Sequence, residues 1–412
     1  MKNVSKYFRG YHLVISLMVL CIYLGTTVCN PTGNKYEKVS TTVYGPNEDY
    51  VGSQSCISCH KAIYDGYTTT PHYNTSALVD ASKFNKTYTN TDSVFYKAKL
   101  FISVHKKEDG IYQTAYSDGR MAASHPMDVV IGSGQKGQTF LFWNDSSLYQ
   151  LPLSYSFVHN RWINSPGYPA AKAMFNRLIA IKCFECHASY ADQKFNEASK
   201  PVFDNSSLVL GISCETCHGP AKSHVQYHTK NPQDKIGNFI INTAKLSRQQ
   251  QLDACASCHS GIRENIKQAF SFLPGDKLDE FFKPAYNKDS TAALDVHGNQ
   301  YGLLMASKCF KQSRTLNCSS CHNTHTKETN QQQIFVQRCL SCHKETTDNF
   351  CTVKNVEKQI LINKCIDCHM PKQLSNQITF NTGNKKELLH ESVRTHLIGV
   401  YKDKAGVLMN GK

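Results

Sequence analysis

Residues 214–218 read Cys214-Glu-Thr-Cys217-His218. The same Cys-x-x-Cys-His frame returns at Cys56-Ile-Ser-Cys59-His60, Cys183-Phe-Glu-Cys186-His187, Cys255-Ala-Ser-Cys258-His259, Cys318-Ser-Ser-Cys321-His322, Cys339-Leu-Ser-Cys342-His343 and Cys365-Ile-Asp-Cys368-His369. Seven copies use fourteen of the eighteen cysteines and seven of the eighteen histidines. One copy alone would fit a redox dithiol or half of a zinc site. Repetition argues against both. Zinc would need the Cys-x-x-Cys pairs matched two by two, with nothing to force a His after each, and a disulfide framework would not repeat one spacing. The chemistry that needs this pattern is covalent haem c: the two thiols form thioethers with the vinyl groups and the adjacent imidazole ligates the iron. The expectation is seven covalent haem c groups.

The spacing of the motifs sets the expected architecture. Successive first cysteines lie 127, 31, 41, 63, 21 and 26 residues apart, so six motifs crowd into residues 183–369 and one stands apart near the N-terminus. Length alone, 412 residues, predicts two to three domains with side-chain cores. With about one haem per 59 residues, the porphyrins are expected to supply much of the apolar core instead. The fold class read from this is mainly α with a large irregular content, haems as core, and a small antiparallel β insertion. The segments expected are a signal peptide or lipoprotein signal over 1–29, a linker over 30–49, a one-haem region with the β insertion over 50–169, a six-haem helical domain over 170–400 and a tail over 401–412.

The first segment carries Lys2, Lys6 and Arg9 ahead of a 12-residue apolar run from Leu13 to Leu24, too short for a comfortable membrane span and typical of an export signal. Cys29 is a candidate for lipidation after cleavage; ordinary cleavage nearby and an uncleaved anchor are the alternatives. The location expected is periplasm, outer membrane or cell surface. Within 94–158, Leu100–Val104, Thr139–Trp143 and Leu148–Leu153 are rich in aromatic and β-branched residues, and Asp109-Gly110, Asp118-Gly119 and Gly132-Ser-Gly134 read as turns. Ala171, Met174, Phe175, Leu178 and Ile179 follow a 3.6-residue period that predicts a helix running into Cys183. Ser247 with Gln250 forms a capping box ahead of Cys255, and residues 355–365 predict a short helix entering Cys365.

Proximal iron ligands follow from the motif: His60, His187, His218, His259, His322, His343 and His369. Outside the motifs and the signal stand ten further histidines, enough for two imidazoles on every iron. Such irons are saturated and suit electron transfer, whereas an open position suits catalysis. The best-placed distal candidates are His72, His125, His224, His297, His325 and His396; His159, His228 and His390 compete for the seventh iron. Gly298, beside His297, would let backbone approach a porphyrin. Met127 and Met370 read as packing residues rather than ligands. Cys309 and Cys351 lie outside the motifs, and export would permit a disulfide between them.

The formal net charge is +14. Seven haems would bring about −14 from their propionates when all are ionised, so most of the basic excess reads as counterion and solvated surface. No basic block or stacking platform accompanies it, which argues against a nucleic-acid partner.

Several connecting motifs carry a resemblance: Val51-Gly-Ser-Gln-Ser-Cys56, Val130-Ile-Gly-Ser-Gly134, Leu151-Pro-Leu153, Ser165-Pro-Gly-Tyr168, Gly211-Ile-Ser-Cys-Glu-Thr-Cys-His-Gly-Pro220, His297-Gly-Asn-Gln-Tyr301 and Cys365-Ile-Asp-Cys-His-Met-Pro371. Over about residues 50–400 the chain resembles exported multihaem cytochromes of Bacteroidota-type bacteria and, more distantly, nitrification-type tetrahaem cytochromes and hydroxylamine oxidoreductases. The resemblance implies close-stacked haem pairs and electron transfer. The leading expectation is a relay in anaerobic or extracytoplasmic respiration between redox-protein partners, such as a membrane quinol-oxidising complex on the donor side, with no catalytic residues. The alternatives are a reductase or oxidase of small nitrogen or sulfur compounds with one five-coordinate haem, and a subunit of a haem filament in which the lone N-terminal haem completes a chain across a subunit contact.

Overall fold

Between Val94 and Asn164 the chain turns back on itself in a run of antiparallel hairpins, as the aromatic and β-branched segments predict. In the computed structural model, residues 44–401 are described except 89–92, 97–98, 170–171, 284–293, 329–330, 355 and 383–384. The expected signal, Cys29, most of the linker and nearly all of the tail lie outside the described residues.

Strands β2 (Val94–Phe95), β3 (Leu100–Lys107), β4 (Gly110–Ser117) and β5 (Arg120–Pro126) form a four-stranded sheet in that order. Its tightest turn is Asp118-Gly119, both residues at positive φ (51° and 77°), the conformation that matches strand twist across a two-residue loop. A second, seven-stranded sheet runs β1 (Ser76–Leu78), β6 (Val129–Ile131), β7 (Gly137–Asn144), β8 (Ser147–Gln150), β11 (Arg177–Leu178), with β9 (Leu153–Ser156) pairing both β7 and β10 (Arg161–Asn164).

Strand β7 explains why its sequence is apolar without a break. Phe140 and Phe142 enter a core with Ile102, Ile111 and Tyr155, while Leu141 and Trp143 enter a second core with Phe184 and Phe203. Successive side chains point to opposite faces, so a strand covered on both sides reads as a continuous apolar run. Gln113, fully buried, joins the two sheets: its amide donates to the Leu153 carbonyl at 2.8 Å and its carbonyl accepts the Leu153 N–H at 2.9 Å.

The sheet is therefore a platform. The helix Ile181–His187, which carries the second motif, drives Phe184 into the far-side core. Two expectations are corrected here. Residues 172–180 form no helix: Arg177 and Leu178 pair with β8, and Phe175 and Ile179 pack into the two different cores. A helix would have placed those i, i+4 residues on one face. The fold is also not mainly α, since helix is 29% and strand 26%. Part of that strand is a C-terminal hairpin, Lys372–Thr382 with Lys385–Arg394, inside the region read as helical.

The capping box forms as read. Ser247 Oγ accepts the Gln250 N–H, Gln250 Oε1 accepts the Ser247 N–H, and the helix Arg248–His259 ends on the fourth motif. The helix Lys358–Asn363 enters the last motif, whose own helix is Cys365–His369. Across residues 311–370 the buried apolar side chains among the described residues are Val336 and Ile366. Three motifs are thus carried by chain with almost no side-chain core of its own.

Candidate functional site

A single cleft of about 2920 Å³ runs through the motif-bearing region. That is roughly three times the upper end, about 1,000 Å³, of ordinary small-molecule pockets. Its wall includes every motif histidine, every motif cysteine except Cys183, and His72, His224, His228, His297, His325 and His396.

Within it four imidazole pairs each join a motif histidine to one outside the motifs. The ring centroids are 6.4 Å apart for His60 and His224, 6.0 Å for His259 and His72, 6.0 Å for His218 and His325, and 6.2 Å for His322 and His396. Two imidazoles on opposite sides of one iron, each bound at about 2 Å, have centroids about 6 Å apart. His187 and His297 share the same wall; burial lowers the pKa of His187 and the charge of His297 lowers it further. The Gly298 carbonyl, beside His297, accepts the Gly261 N–H at 2.6 Å.

The other ring nitrogens are held as metal-bound imidazoles require. Nδ1 donates to a backbone carbonyl in His218 (Ile241, 2.9 Å), His224 (Asn238, 2.7 Å), His343 (Asn349, 2.6 Å) and His369 (Gly399, 2.8 Å). A carbonyl can only accept, so Nδ1 carries the proton and Nε2 presents its lone pair to the cleft. His187 Nδ1 lies 2.9 Å from Thr75 Oγ1. His228 Nε2, a buried ring nitrogen on the wall, has no hydrogen-bond partner among the described residues. The donor set fits haem c.

Not all expected ligands come together. His125 sits on β5 with its ring 4.2 Å from that of Phe142 and 5.0 Å from that of Phe175, away from the cleft wall. Strand alternation pins it there: its neighbour in register is the buried Gln113. Cys309 and Cys351 are separate thiols rather than a disulfide. Cys309 lies near Cys321 and Cys342, Cys351 near Cys365 and Cys368. Met127 is buried in the β core, as a packing residue would be.

Motifs also touch one another. Cys56 and Cys214, Cys186 and Cys258, and Cys255 and Cys318 lie within hydrogen-bonding reach, which raises the thiol pKa of the first member and lowers that of the second. Sulfurs bound as thioethers carry no proton, so these contacts report proximity. They place the first motif against the third, the second against the fourth, and the fourth against the fifth.

The first motif, remote in sequence, is thus bolted to the third. Glu215, inside the third motif and 1% exposed, accepts the N–H groups of Val51 (3.0 Å), Gly52 (2.8 Å) and Ala221 (3.0 Å). Tyr67 Oη donates to the Ile212 carbonyl at 2.7 Å. Gly52 has φ +76°, and a Cβ there would meet the Tyr44 ring at 2.4 Å. Acidic residues inside motifs recur in this role. Glu185 accepts from Asn265 at 2.7 Å, and Asp367 accepts from Arg394 at 2.5 Å and Gln332 at 2.7 Å. An acidic residue between the two cysteines of a motif is the sequence signal for this role.

Residues 169–219, spanning the second and third motifs, match the family model described as cytochrome c554 and c-prime. The chain is similar to multihaem c-type cytochromes. It is 24% identical over 189 residues to the multiheme cytochrome MtrA of Shewanella baltica (strain OS185), an alignment covering 40% of this chain and 53% of that protein. The chain thus spans about half the length of the curated relative it matches. Its fold is similar to that of the outer cell wall cytochrome OcwA, with a TM-score of 0.51 at 15% identity over 88% of this chain and 82% of the other. Among the described residues no helix is long and apolar enough to cross a membrane.

Proposed function

We propose that this cytochrome holds seven haem c groups, one on each Cys-x-x-Cys-His motif, and relays electrons along them between an extracytoplasmic donor and acceptor. The observation that carries the reading is the set of four imidazole pairs at 6.0–6.4 Å, each composed of one motif histidine and one other. We assign His224 to the iron of His60, His72 to that of His259, His325 to that of His218, His396 to that of His322 and His297 to that of His187. An iron saturated by two imidazoles exchanges an electron without gaining or losing a ligand, which is the behaviour a relay needs. With Cys217 of the third motif near Cys255 and Cys258 of the fourth, Cys321 of the fifth near Cys339 and Cys342 of the sixth, and Cys339 near Cys365 of the seventh, the motif contacts support an order of first, third, fourth and fifth haems, with the second branching from the fourth and the last two continuing beyond the fifth.

Expected partners are redox proteins, with a membrane quinol-oxidising complex as one candidate donor. Export to the periplasm or cell surface, with Cys29 as a candidate lipid anchor, is part of the same reading. The filament alternative loses its motive, because the first motif packs within its own chain against the third. The test is haem quantification with intact mass on protein matured in an export-competent host, followed by a potentiometric titration. Seven haems per chain and electron uptake spread over all seven are expected. A reproducible count below seven on full-length chain overturns the assignment.

A further inference from the structure

We infer that the irons of the last two motifs, at His343 and His369, keep their distal positions for a small exogenous ligand. The inference rests on the seven-haem reading. All ten histidines outside the motifs and the signal are among the described residues. Five face the irons of the first five motifs. The other five are held elsewhere. His105 stacks on Tyr112 and His125 on Phe142 in the four-stranded sheet region, and His159 lies in the turn ahead of β10 with its N–H on Ser156 Oγ. His228 lies beside His224, ring centroids 4.6 Å apart, at the first-motif end, where its charge acts on His60. His390 has its Nδ1 on the Ser375 carbonyl at 2.8 Å, but it alternates along its strand with Glu391, which is on the cleft wall, and so points to the other face of the hairpin.

His343 and His369 are nonetheless built as proximal ligands. Each has Nδ1 fixed by a backbone carbonyl, and each presents Nε2 to the cleft. Five haems with two imidazoles and two with one is therefore the arrangement the histidines support. An iron with one imidazole and an open face binds π-acceptors when ferrous and anions when ferric. Lys308, Lys364 and Lys372 line the cleft in this region and favour anions. The ligand class is thus small molecules of the size of cyanide, nitrite, carbon monoxide or nitric oxide.

The test is carbon monoxide titration of the dithionite-reduced holoprotein, with haem counted on the same sample and the oxidised form examined by electron paramagnetic resonance. Two carbon monoxide molecules per seven haems are expected, with an axial high-spin ferric signal that cyanide converts to low-spin. Fewer than two, with only low-spin signals, overturns the inference and leaves the seven-haem reading intact; a haem count below seven overturns that reading instead. His72→Ala, which strips one paired iron, should raise uptake from two to three. Replacing Cys339, Cys342 and His343 by Ala should lower it to one. Should that variant fail to accumulate, the wild-type stoichiometry still decides.

Discussion

Replacing Glu215 should loosen the first motif from the rest of the molecule. Its carboxylate receives three backbone N–H groups, two from the strap before the first motif and one from the turn after the third. In Glu215→Ala those donors stay buried without acceptors. At about 1–3 kcal/mol for each orphaned group, with water reaching some of them, the loss is about 3–6 kcal/mol. Glu215→Gln is milder. Its single carbonyl can keep Val51 and Ala221, which share Oε1, while its NH2 then opposes the Gly52 N–H. That loses one bond and sets two donors together, about 2–3 kcal/mol. The assay is hydrogen exchange of residues 50–67 by mass spectrometry, with thermal denaturation on the same samples. Faster exchange should be confined to that segment and the chain around the third motif, in the order Ala above Gln above wild type. Wild-type exchange in Glu215→Ala would refute the reasoning, because the geometry leaves those donors no other acceptor among the described residues.

Further expectations follow from other contacts. Burial pushes the Asp128 carboxyl up to about 6, against the opposing hydrogen bond from the Trp143 N–H. The folded protein then holds that proton more tightly than the unfolded chain, so stability falls as pH rises from about 4 to 6, and the full penalty, about 2 kcal/mol after allowance for partial exposure, persists above. Asp128→Asn should raise the melting temperature at pH 7 and not at pH 4; equal effects at both would refute this. The His72 and His259 rings are 77° apart in plane, whereas those of His60 with His224 and His218 with His325 are within 15°. The His259 iron should give a strongly anisotropic low-spin resonance, lost in His72→Ala, while the other two give ordinary rhombic signals. Arg394 donates to Asp367 and to the carbonyls of Ile366 (2.9 Å) and Met370 (3.1 Å), joining the C-terminal hairpin to the last motif. Arg394→Ala should cost about 2–4 kcal/mol locally, seen as faster exchange over 365–399 and unchanged exchange in the β platform.

The sequence made the motifs and the hairpins of the β region legible, because each depends on local chemistry. Five of the six favoured distal histidines lie on the cleft wall; His125 does not, because nothing in its neighbourhood reveals that strand alternation sets it among aromatic rings. The period through Ala171–Ile179 is real, but it arises because Phe175 and Ile179 serve two cores on opposite sides of a sheet. The C-terminal hairpin escaped for a related reason. A register shift between Leu374 and Thr379 breaks the alternation that would have marked a strand. The docking of the first motif on the third depends on contacts between residues more than 140 apart, which no local pattern encodes.

The facing imidazoles also bear on how the molecule is made. Members of one pair are separated by 74 residues, for His322 and His396, to 187 residues, for His72 and His259. An iron that gathers both becomes a cross-link closing a long loop, and closing long loops is slow even where it is favourable. A chain exported from its N-terminus delivers His60 well before His224. Its first haem would wait with one imidazole, open to whatever small ligand the compartment offers, until the third motif and the helix beyond it arrive. Maturation is then a succession of ligand captures that each tie an early segment to a late one. Once the last capture is made, unfolding a segment that carries one imidazole of a pair requires breaking an iron bond that also holds its distant partner.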